Sequence, residues 1–150
     1  MTAYYDPTAV KARYGRTPKS EDQALNYARI LKTIIAADGD IAAGEWTLLL
    51  RGLKRLGASA EAVADITAFE PGSVSLETLA AGLKPGGKRA RLLLRDAIEI
   101  SRGDGVYAQA EKAAVRKTAA LLGVDDSSVR AIESLIEMEH AVKRLRKALL

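Results

Sequence analysis

A chain of 150 residues, 48% hydrophobic and 28% charged, is long enough for one domain with a real core and too apolar to remain disordered. It has no cysteine, which excludes disulfides, thiolate metal sites and thiol redox chemistry. Its 23 Lys and Arg against 19 Asp and Glu give a net charge of +4, and the excess sits at the two ends: Lys11, Arg13, Arg16 and Lys19, then Lys143, Arg144, Arg146 and Lys147.

Residues 1–19 contain Pro7, Gly15 and Pro18 and show no helical periodicity, so a flexible basic tail is expected there. A single helical domain is expected over residues 20–150. Ser20-Glu21-Asp22-Gln23 has the form of a capping box, and behind it Leu25, Ala28, Leu31, Ile34 and Ile35 recur at helical spacing to about Ala37. Asp38-Gly39 breaks that helix. A second carries Trp46, Leu49, Leu50, Leu53 and Leu56 on one face and stops at Gly57. Ser59 caps a third through Val63 and Ile66, ended by Pro71-Gly72, and Ser75 caps a fourth with Leu76, Leu79 and Leu83.

Lys84-Pro85-Gly86-Gly87 is the strongest break in the chain. A fifth helix with Leu92, Leu93 and Ile100 ends at Gly103-Asp104-Gly105. A sixth runs through Val115, Ala119 and Leu122 to Gly123. Asp125 or Asp126 caps a seventh, where Val129, Ile132, Leu135, Ile136, Val142, Leu145 and Leu149 keep the helical period. No run alternates with period two, so the expected class is all-α with about seven helices. Neither a signal-peptide run nor roughly 20 consecutive apolar residues occurs, and a cytoplasmic protein is expected.

Shifted by 66 residues, the chain matches itself. Ile34 falls on Ile100, Asp38 on Asp104, Gly39 on Gly105, Ala42 on Ala108, Glu45 on Glu111, Leu56-Gly57 on Leu122-Gly123, Val63 on Val129 and Ile66 on Ile132. Chance would supply roughly two or three such identities, so duplication is implied. The expected architecture is two homologous helix–loop–helix halves, about 20–83 and 88–150, related by a pseudo-two-fold. Ile34, Leu49, Leu53, Leu56, Ile100, Val115, Leu122, Val129 and Ile132 form the expected shared core, with Trp46 also buried.

The repeated loop carries the chemistry. Each glycine permits the positive φ needed where one helix ends and the chain reverses. Each glutamate falls in the first turn of the next helix, where it favours the dipole and reaches back as a cap. The aspartates lie at helix C-terminal ends, where negative charge is disfavoured, and a short Asx-type turn with the capping glutamate is one explanation of the motif. The alternative is a pair of hard-oxygen sites holding Ca²⁺ or Mg²⁺ weakly: Asp38, Asp40 and Glu45 in the first loop, Asp104 and Glu111 in the second, with Asp96 and Glu99 upstream as further ligands of the second. An EF-hand fails as an explanation. With Glu45 at loop position twelve, positions one and three fall on Ile34 and Ala36, and in the second copy on Ile100 and Arg102, where oxygen ligands are required.

Other motifs give less. His140 is the only histidine and reads as a surface or packing residue. No Gly-x-Ser-x-Gly pattern exists, and an enzyme is not expected. Pro85-Gly86-Gly87-Lys88-Arg89 lacks the spacing of a phosphate loop and reads as a basic linker. Lys143, Arg144, Arg146 and Lys147 with Leu145, Leu149 and Leu150 form a basic amphipathic end, which suits the helix dipole and offers a membrane or partner contact as the second reading.

Ala37-Asp38-Gly39 through Leu56-Gly57, and Asp104-Gly105 through Leu122-Gly123, resemble the tellurite-resistance TerB family, over nearly all of the chain after residue 20. The resemblance implies an all-helical pseudo-symmetric fold, a non-enzymatic role in tellurite resistance and stress response, and an acidic surface that binds metal ions. It implies partners among other proteins of a stress or resistance system and peripheral association with the inner membrane. Gly103 in place of Ala37 and Val106 in place of Asp40 depart from the first copy, and leave the second loop poorer in ligands. The alternative function is a helical adaptor that binds an anionic membrane or nucleic acid through its basic termini, nucleic acid being the less favoured.

Overall fold

The computed structural model describes residues 5–14, 21–103 and 105–150 of the chain. Its described residues are all-helical, with eight helices: α1 (Pro7–Tyr14), α2 (Glu21–Ile35), α3 (Ala43–Arg55), α4 (Ala60–Ala68), α5 (Leu76–Ala80), α6 (Lys88–Ser101), α7 (Gln109–Leu121) and α8 (Asp126–Leu149). The last seven are those expected. Ser20 and its capping box lie outside the described residues, as does Asp104.

The eighth, α1, corrects the expectation of a flexible tail across residues 1–19. The Asp6 carboxylate accepts the Thr8 N–H at 2.9 Å and starts the helix, and the Asp6 N–H donates to the Leu56 carbonyl at 2.7 Å. Val10 is buried at 5% exposure, and Arg13 pairs with Asp96 on α6 at 2.5 Å. A helix this short, with Val10 buried among otherwise polar or small neighbours over residues 7–13, shows no periodicity, because a period needs at least two buried turns.

Helices α2 and α6 form the centre. Ile30, Ile34 and Ile35 of α2 and Leu93, Leu94 and Ile98 of α6 are fully buried. α2 packs on α3, α4, α5, α6 and α7, while α6 also packs on α3, α7 and α8. Of the expected core, Ile34, Leu49, Ile100, Val115, Leu122 and Val129 are buried. Leu53, Ile132 and Trp46 are half-buried against them. Leu56 is not in the core; it lines an apolar recess beneath α1 with Tyr5, Val10 and Leu25.

The two copies of the repeat share their local backbone. α3 and α7 start from extended residues, Ala42 (φ −66°, ψ 151°) and Ala108 (φ −68°, ψ 154°), and close on Leu56 (φ −85°, ψ 3°) and Leu122 (φ −90°, ψ 4°). Ser59 caps α4 through the Ala62 N–H at 3.1 Å, and Asp125 caps α8 through the Ser128 N–H at 2.8 Å. The Gly86 N–H donates to the Leu122 carbonyl at 2.6 Å, the counterpart of Asp6 on Leu56.

The copies then end differently. α4 stops at Ala68, and the buried ammonium of Lys32 donates to the carbonyls of Ile66, Thr67 and Phe69 at 2.8, 3.0 and 2.6 Å. It also lies 5.3 Å from the Trp46 ring. These carbonyls are the acceptors a helix end leaves unpaired. α8 instead continues for 24 residues. No helix of the described residues is long and apolar enough to cross a membrane.

Candidate functional site

The site forms where the two Asp-Gly loops meet. The Gly39 N–H donates to the Ala36 carbonyl at 3.0 Å and the Gly105 N–H to the Arg102 carbonyl at 2.9 Å, which closes the same turn after α2 and α6. Gly39 and Gly105 hold φ of +104° and +86°, the region a side chain disfavours. Each loop then enters the next helix with its glutamate in the first turn. Glu45 Oε1 accepts the Ala42 N–H at 2.8 Å and Glu111 Oε1 accepts the Ala108 N–H at 3.1 Å. Alanine at the cap cannot return the bond, so only half of a capping box forms.

Capping glutamates are ordinarily solvated. Here Glu45 and Glu111 are each 1% exposed, and the second oxygen of each, Oε2, is buried with no N–H or hydroxyl donor. The two carboxyl groups interact directly across the junction of the loops. Burial, then the hydrogen bond with Glu45, push the Glu111 carboxyl up to about 8; the charges of Glu45 and Asp38 add to this and the Ala108 N–H opposes it. Burial and the carboxyl beside it thus keep a proton on Glu111 near neutral pH.

Gly103 explains how the loops come so close. A Cβ there would lie 2.8 Å from the Gly44 carbonyl and from the Glu45 backbone nitrogen. The departure from Ala37, read in the sequence as a weakening of the second loop, is the close approach that seats this loop against the start of α3.

The other expected ligands divide. Asp38 is exposed, but its charge acts on Glu111. Asp40 is exposed, and its N–H makes a long 3.4 Å contact with the Asp38 carboxylate. Asp104 lies outside the described residues. Asp96 and Glu99 are not at the loops, which corrects their expected place as ligands: Asp96 accepts from Arg13 and from the Tyr27 hydroxyl at 2.9 Å, and Glu99 pairs with His140 at 2.9 Å. Their faces of α6 turn toward α1, α2 and α8. Among the described residues, no three metal-ligating side chains gather at one point.

A second cluster, unread in the sequence, anchors the second loop. Arg116 of α7 grips Glu133 of α8 with two bonds of 2.9 and 3.1 Å and reaches Asp126 at 3.2 Å. These bonds hold the Glu133 carboxyl below the usual carboxylate range. Tyr107, from the loop itself, sits against this pair, with the Lys112 ammonium 5.3 Å from its ring. Its hydroxyl is pushed up first by burial and then by the Glu133 charge, so it stays protonated.

A family model described as tellurite resistance protein TerB matches residues 24–134. The fold is similar to the crystal structure of a tellurite resistance protein from Nostoc punctiforme PCC 73102, with a TM-score of 0.75 and 27% identity, covering 95% of this chain and 89% of that one. No curated protein matches.

Proposed function

The chain belongs to the tellurite-resistance TerB family, and from that premise we propose a non-enzymatic cytoplasmic module of tellurite resistance and stress response, whose two loops together bind one divalent cation weakly. The sequence alone pointed to two separate sites. One site shared by both copies fits the meeting of Glu45 and Glu111 better than two. The observation that carries it is the pair of buried Oε2 atoms of Glu45 and Glu111, which have no donor from outside the pair.

Carboxylate oxygens without a donor are the hard ligands that Ca²⁺ and Mg²⁺ take. Glu45 and Glu111 would hold the ion, and Asp38 and Asp40 are the further carboxylates the first loop offers it. A bound cation supplies the positive charge that the carboxyl pair lacks. The chain's own residues prepare the place: the Ala42 and Ala108 N–H groups fix one oxygen of each glutamate, and Gly103 admits the second loop. Such a clip joins the two halves and makes the surface around the loops respond to the ion. Other proteins of the same resistance system are the partners this surface serves.

The test is a titration with Ca²⁺, Mg²⁺ and Mn²⁺ that follows the amide signals of Gly39 and Gly105. Saturable shifts confined to both loops at millimolar metal are expected, and E45Q/E111Q should abolish them while the helical spectrum remains. Metal that shifts neither loop would leave the carboxyl pair as a packing feature and the protein as a plain adaptor.

A further inference from the structure

The end of α8 leaves the body of the protein: every residue from Val142 to Leu150 is exposed. Val142, Leu145 and Leu149 are 51%, 58% and 76% exposed, and with Met138 they step by four, three and four residues. That spacing draws one stripe along the helix, apart from the side where Val129 and Ile136 enter the core. Lys143, Arg144, Arg146 and Lys147 occupy the remaining circumference, and no acidic residue lies between Glu139 and Leu150. None of the ion pairs among the described residues uses these four cations.

We propose that this end of α8 docks on an anionic lipid surface. Leu145, Leu149 and Val142 enter the headgroup boundary, and Lys143, Arg144, Arg146 and Lys147 meet lipid phosphates. An exposed apolar stripe beside an unbroken basic face is the pattern of a helix that lies in a membrane interface. A second copy of the chain fits less well. The stripe covers about three turns, roughly 16 Å long and at most ~10 Å wide, on the order of 160 Å² and far short of the ~800 Å² per partner that stable association needs. Antiparallel pairing would need Glu137 and Glu139 for the basic end, and these are already held by Arg102 and Arg95. Nucleic acid would satisfy the cations and leave the leucines in water.

The experiment is sedimentation of the full chain with phosphatidylcholine vesicles, with and without phosphatidylglycerol, at low and high salt. Pelleting only with phosphatidylglycerol, weakened by salt, is expected. Each basic residue removed should cut partitioning about fivefold, so R144Q/K147Q should lose about 25-fold. L145Q/L149Q should also release the protein while leaving its charge and, at these exposed positions, its fold unchanged. Three results would overturn the proposal: no pelleting with either vesicle, equal pelleting with L145Q/L149Q, or a concentration-dependent dimer that L145Q/L149Q abolishes. The last would assign the stripe to a second copy.

Discussion

The two copies of the repeat are alike where they touch each other and unlike where they touch the rest of the chain. Cap dihedrals, the Asp-Gly turn and the buried glutamate correspond position by position. Where the first copy stops α4, it keeps Lys32 against three carbonyls; the second copy has Ile98 at that position and a helix that runs on. Pro71 follows the stop in the first copy, and Glu137 stands at its counterpart. The second copy ties its loop to α8 with Tyr107, Arg116 and Glu133, where the first has Ile41, Leu50 and Thr67. Duplication thus preserved the junction and let each outer surface adapt to its own neighbours.

The comparison is broken most directly at the pair Leu56 and Leu122, identical in sequence and different in burial. Leu122 is fully buried, whereas Leu56 lines the recess under α1. L122A should cost roughly 2–5 kcal/mol and L56A roughly half of that or less. Urea denaturation of both variants checks this, and equal losses would mean that α1 buries its half as fully as α6 and α8 bury theirs.

How much of this was legible follows from the same contrast. Seven helices and their stops are written in local pattern, because capping and periodicity act within a few residues. The ungapped shift announced the repeat and singled out Glu45 and Glu111, but it reports equivalence and not orientation. Nothing local says that the two glutamates face each other. Asp96 and Glu99 were misplaced for a related reason. On a helix, nearness to a loop in sequence does not give nearness of side chains, and their partners Arg13, Tyr27 and His140 are remote in the chain. Lys32 carries no local signal of its role, because its three acceptors are the carbonyls of Ile66, Thr67 and Phe69, remote in the chain.

Lys32 gives the next effect. In K32I, the first copy receives the residue of the second, and the carbonyls at the end of α4 lose their donor in a half-dry place. A loss of about 2 kcal/mol is expected, with faster hydrogen exchange confined to α4 and its following turn. If K32I is neutral, Pro71 and the Phe69 N–H on the Asp65 carbonyl suffice to end the helix, and the two copies differ less than their side chains indicate.

The smallest effect bears on the junction itself. The Glu111 carboxyl sits at about 8 in the folded protein against an ordinary 4.5. Between these values the folded protein keeps a proton that the unfolded chain has released, so this group's contribution to stability is present below about pH 4.5 and is lost as pH rises through 8. E111Q removes the titrating group and keeps the shape. Its stability relative to the wild type should therefore rise with pH, by about 1–2 kcal/mol between pH 5 and pH 9, since relaxation of the exposed loops and entry of water relieve part of the strain of the ionised pair. E45Q should reduce the same dependence only in part, because it removes the neighbouring charge and leaves Glu111 buried. Thermal unfolding of the three proteins across this range decides the matter. If E111Q flattens the profile and E45Q does not, burial of Glu111, the largest cause of its raised carboxyl, carries the dependence and the pairing with Glu45 does not.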